Sequence, residues 1–107
     1  MRIDTKARAI PKRVKLAVAD RDSIDGWPCC VFCGRPSPTG GIEWSNAHFI
    51  SRAQLGLGDA RNILTLCPTC HHKYDQTTSR EEMKSYFREY LMDFYPDWDD
   101  SDLVYRK

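Results

Sequence analysis

Two short cysteine pairs limit what this chain can fold into more than any other feature. Cys30 and Cys33 have two residues between them, as do Cys67 and Cys70, and 33 residues separate the pairs. A Cys-x-x-Cys turn brings two thiolates to one ion at roughly 2.3 Å each, so two such turns close a tetrahedral four-sulfur site. With no open coordination position, the ion there is structural zinc, and its binding energy contributes directly to folding. A chain of 107 residues needs such a staple, because a domain of this size buries only a limited apolar core. Iron is the other occupant that four thiolates suit, and a colourless preparation containing zinc excludes it. Cys29, the fifth cysteine, is read as a neighbour of the first turn.

Metal is favoured over disulfides by the rest of the sequence. There is no signal-peptide pattern and no apolar run near twenty residues, so the expectation is a soluble, intracellular (cytoplasmic) protein with reduced thiols and no membrane association. Net charge is only +1 but unevenly spread. Arg2, Lys6, Arg8, Lys12, Arg13, Lys15 and Arg21 make the first 21 residues basic, and Asp93, Asp97, Asp99, Asp100 and Asp102 make the C-terminal part acidic. A basic arm concentrates attraction to phosphate, and a solvated helix face accounts for it equally well.

The order of elements follows from local patterns. After Pro11, "KRVKLAVADR" sets Val14, Ala17 and Val18 on one stripe of a short helix that stops near "SIDGWP". "CCVFCGRPSPTGG" reads as a cysteine turn and loop, "IEWSNAHFI" as a strand, "SRAQLGLGDAR" as a loop and "NILTL" as a second short strand. "PTCHHKYDQ" opens on proline and suits a short helix. Ser79 with Glu82 forms a capping box for a longer helix carrying Met83, Phe87, Tyr90, Leu91 and Phe94 on one stripe, ended by Pro96. "LVYRK" is a candidate edge strand. Trp27 and Trp44 are assigned to packing around the zinc turn. The domain organisation is one domain, 1–107, with a basic arm over 1–10, a zinc-stapled core over 11–75 and a helical extension over 79–107.

With Cys67 and Cys70 committed to the first ion, His71, His72 and Asp75 remain. On a helix His71 and Asp75 stand at i and i+4 and project from one face, where an imidazole and a carboxylate can share a divalent cation. His72 points about 100° away. The plainer reading has His71 packing locally and Asp75 opening the following turn.

His48 near the end of one strand, Asn62 opening the next and His71 on a helix, interleaved with two Cys-x-x-Cys pairs, resemble the HNH endonuclease family. The resemblance spans roughly Val14 to Asp75, through "VADRD", "CCVFCG", "HFISRAQLGLGDARN" and "LCPTCHHKYD". It implies an α+β fold with a ββα-metal (His-Me finger) core, here stapled by zinc and flanked by N- and C-terminal helices. The C-terminal extension looks like that of small phage and prophage members.

That resemblance implies a metal-dependent endonuclease that hydrolyses DNA phosphodiesters, nicking or cutting the duplex. His48 would be the general base, a role suited to an unperturbed pKa of about 6.5. Asn62 would fix the loop and approach the metal, and His71, Asp75 and Asn62 would hold the catalytic cation, magnesium or manganese first, nickel or zinc as alternatives. Arg52, Arg61 and Lys73 would contact DNA. The implied partners are double-stranded DNA and, for a phage protein, a terminase at genome packaging, with homing as another setting and a monomer or homodimer as the active form. One residue departs from the pattern. Many members carry an acid or histidine ligand just before the general base, and here that residue is Ala47. Either the site works with fewer protein ligands, or the chain is a non-catalytic zinc module that binds DNA or a packaging protein.

Overall fold

A computed structural model of the chain describes residues 10–104; the basic residues Arg2, Lys6 and Arg8, and Tyr105 to Lys107 of the candidate edge strand, lie outside them. Helix α1 runs Lys12–Arg21, with Pro11 as its N-cap and the Pro11 carbonyl accepting from the Val14 and Lys15 amides. Its buried residues are Val18 and Ala19, not Ala17, so the apolar stripe is rotated toward Ala19, by no more than the roughly 100° that separates successive helical residues. A tight turn with Asp25 and Gly26 at positive φ joins β1, Ser23–Ile24, to β2, Trp27–Pro28, as a two-residue antiparallel hairpin.

Strand β3, Ala47–His48, pairs antiparallel with β4, Ile63–Leu64, with Ala47 opposite Leu64 and His48 opposite Ile63. The strand expected over 42–50 is confined to two residues. Residues 42–45 turn instead, with the Ser45 amide donating to the Ile42 carbonyl, and Trp44 meets Leu66 by one backbone bond outside the ladder. Between β3 and β4 the loop is ordered by two 3-10 turns, Arg52–Gln54 and Ala60–Asn62.

Helix α2, Pro68–Gln76, occupies the expected segment, with proline at its start and the Cys67 thiol as N-cap. Helix α3 runs Arg80–Phe94, and Pro96 follows two residues after its end. The expected capping box does not form: Ser79 is helical in backbone and makes no side-chain cap, and the Thr77 hydroxyl instead accepts from the Ser79 amide. Among the described residues, three helices and two small antiparallel sheets thus give an α+β architecture. Val104 makes a single bridge to Gly56 rather than a strand. No helix among the described residues is long and apolar enough to cross a membrane.

The core lies between the β3–β4 pair and helices α2 and α3. Ala47, Phe49, Leu64, Tyr74, Met83, Phe87 and Leu91 are fully or almost fully buried in it, together with Cys30, Cys67 and Cys70. Phe87 meets Tyr74 edge to face at 5.1 Å, and Trp98 meets Phe49 at 5.3 Å. Side chains alternate across a strand, so Ala47 faces this core while His48 turns to the opposite face. Tyr90 and Phe94 sit at the rim of the expected stripe, half-buried and exposed.

Candidate functional site: a cysteine cluster and a cleft lined by His48, His71 and Asp75

The sulfur atoms of Cys30, Cys33, Cys67 and Cys70 all lie within 4.8 Å of one another. Cys33 Sγ and Cys67 Sγ are 3.7 Å apart, and the edge of a tetrahedron with bonds near 2.3 Å is about 3.8 Å. The donor set therefore fits a four-thiolate ion. Local structure prepares it: the Cys30 carbonyl accepts from the Gly34 amide, with Gly34 at positive φ, and the Cys67 sulfur accepts from the Cys70 amide at the start of α2. Burial pushes the Cys30 and Cys70 thiols up. Burial acts the same way on Cys33, but the Arg35 amide and the neighbouring sulfurs outweigh it and bring that thiol down. A cation bound by the four sulfurs would displace their protons. Cys29 stands apart, buried, with its thiol on the Trp27 carbonyl.

On the other side of α2 a cleft of about 830 Å³ is lined by residues from four parts of the chain. His48 enters from β3, His71 and Asp75 from α2, Lys15 from α1, and Arg80 from the start of α3. His71 Nε2 lies 3.0 Å from Asp75 Oδ2. That is the distance of a direct i, i+4 pair on α2, and adjacent vertices of an octahedron with bonds near 2.1 Å are also about 3.0 Å apart, so the two groups could serve as neighbouring ligands of a small divalent cation. A second, more open concavity of about 310 Å³ shares His71 and Asp75 and adds His72.

Asn62 holds the loop that follows His48. It is completely buried; its Oδ1 accepts from the Ile50 amide at 2.8 Å, and its Nδ2 donates to the carbonyls of Ile50 and Leu57 at 3.1 and 2.8 Å. The Phe49 amide donates to the Asn62 carbonyl at 2.7 Å. These bonds tie the amide to the loop, and Asn62 is not among the residues that line the cleft.

The opposite side of Phe49 is held from α2 and α3. Tyr74 donates its hydroxyl to the Phe49 carbonyl at 2.7 Å, and burial pushes this phenol up to about 12, so it remains a donor at neutral pH. Arg80 donates to the Tyr74 carbonyl at 3.0 Å and the Phe49 carbonyl at 3.5 Å, and its guanidinium lies 4.2 Å from the Tyr74 ring centre. The residue after His48 is therefore pinned from both flanks.

The remaining sequence candidates divide by position. Arg52 lines the cleft, as do Asn46 and Gln54. Neither Arg61 nor Lys73 lines it, and Arg61 is paired with Asp59 at 3.0 Å. Ala47 is fully buried in the core, so a ligating side chain at that position would enter the core here, and Asn46 is the residue that shares the cleft with His48. Arg21, counted with the basic arm, is not available to a partner. It forms a double hydrogen bond with buried Asp22 and reaches the carbonyls of Ala60 and Ile63, which bracket Asn62. Asp22 also accepts from the Thr65 amide and the Tyr90 hydroxyl. Nothing in the local sequence marks this hub, because its partners come from positions up to 74 residues away. Tyr74 and Arg80 escape sequence reasoning for the same reason.

Comparison of the chain with protein-family models, with curated proteins and with solved structures finds no match in any of the three.

Proposed function

We propose that the chain is a small, zinc-stapled, metal-dependent endonuclease of the HNH type acting on DNA. The observation that carries this reading is the convergence of His48 with the His71–Asp75 pair on one open cleft, although 22 residues lie between His48 and His71 in the chain. The order strand, clamped loop, strand, helix over β3, β4 and α2 supports a ββα-metal core. In the same reading the four cysteines hold structural zinc.

Each residue then has a defined task. His48 takes the proton of a water aligned on the scissile phosphorus, as a neutral imidazole does well near pH 7. Asn62 fixes the 50–57 loop, and with it the backbone that orients His48. His71 and Asp75 would hold the divalent cation, which supplies charge neutralisation at the phosphate and the departing oxygen. Asn46, adjacent on the cleft side of β3, is placed to hydrogen-bond a bound phosphate or water. Ala47 is buried in the core, so in this reading the protein ligands of the cation come from α2 alone.

The test is relaxation of supercoiled plasmid by purified protein in magnesium, manganese, nickel or zinc. The wild type is expected to nick only with metal, and His48→Ala to lose at least about 100-fold in rate while keeping its zinc and its fold. Cleavage by neither protein in any metal would favour the non-catalytic zinc module instead.

A further inference from the structure

The cleft carries more positive charge than the chain as a whole. Among the described residues, Lys15, Arg52 and Arg80 line it against one acid, Asp75, an excess of two positive charges in a protein whose net charge is +1. These cations come from three separate elements, and two of them, Lys15 on α1 and Arg80 on α3, lie outside the β3–β4–α2 unit that supplies His48, His71 and Asp75. Arg80 is also held in place. Two of the five N–H groups of a guanidinium are spent on the Tyr74 and Phe49 carbonyls, its carbon lies over the Tyr74 ring at 4.2 Å and its Nη1 is 3.9 Å from the Asp75 carboxylate, which leaves donors on a partly exposed, fixed fork.

We infer that Lys15 and Arg80, with Arg52, bind phosphates and form the DNA-binding groove, and that Arg61 and Lys73 are not part of it. This rests on the endonuclease reading for the identity of the ligand, a nucleic-acid duplex, but the placement of the charges is independent of catalysis. A fixed guanidinium beside the residue after His48 takes a phosphate oxygen close to the reacting group. Lys15, half-buried on α1, takes a second phosphate.

Counterion release separates these residues without any cleavage. Binding of a short blunt duplex of arbitrary sequence, in buffer with no added divalent cation, is measured against salt for the wild type and five single variants. Removing one phosphate-binding cation lowers the magnitude of the slope of log affinity against log salt by about 0.9. Lys15→Gln and Arg80→Gln are expected to show that decrease, Arg80→Lys to keep most of the slope, and Arg61→Gln and Lys73→Gln to match the wild type. Lys15→Gln, at a half-buried helical position that makes no part of the core, carries the test if Arg80→Gln unfolds. A wild-type slope for Lys15→Gln, or equal decreases for Arg61→Gln and Lys73→Gln, overturns the inference while leaving the endonuclease reading standing. Absence of any duplex binding by the wild type removes both.

Discussion

At the scale of single residues, Asn62 is the tightest constraint on the cleft. Its amide serves three backbone groups in a fully buried setting, and water cannot replace it there without repacking. Asn62→Ala is expected to cost about 3 kcal/mol of stability, measured by urea unfolding, and to slow nicking in any molecules that remain folded. A loss below about 1 kcal/mol would show that the loop holds itself. Sequence reasoning reaches His71 through its helical spacing from Asp75, and Asn62 through the resemblance to a family pattern. It does not reach Arg21 and Asp22, whose pairing with Ala60, Ile63 and Tyr90 exists only once distant segments meet.

At the scale of elements, the segment PTCHHKYDQ is legible to its boundaries because proline, the N-cap thiol and the following turn are all local signals. Strand β3 is not, because nine residues of strand-like composition contain a turn whose Ser45 hydroxyl meets Thr65 and whose Trp44 packs on the core, contacts made with distant segments. The loop between the strands depends on a close approach at Gly56. A Cβ there would lie 1.8 Å from the Ile50 carbonyl oxygen and 2.9 Å from that of Ser51, both backbone atoms. Gly56→Ala is therefore expected to displace the loop that Asn62 clamps, with a stability loss of about 2 kcal/mol or more and a fall in nicking. Thermal unfolding and the plasmid assay check the two parts, and wild-type behaviour in both would mean that the loop tolerates the shift.

At the scale of the whole molecule, one short helix separates the cysteine cluster from the cleft. The N-terminal end of α2 lies against four sulfurs, and its outer face gives His71 and Asp75 to the cleft. The first assembly is readable from Cys-x-x-Cys spacing alone. The shape of the second is not, since it needs α1 and α3 as walls and those contribute through single side chains, Lys15 and Arg80. The division of labour makes a direct demand: damage to one site should leave the other intact.

The most direct test of that claim is the manganese dependence of plasmid nicking by wild type and Asp75→Asn, with zinc content measured on the same preparations. The account requires Asp75→Asn to keep its full zinc and its unfolding temperature, while the manganese concentration for half-maximal nicking rises by about tenfold or more. An unchanged manganese requirement, or loss of zinc together with activity, would contradict it.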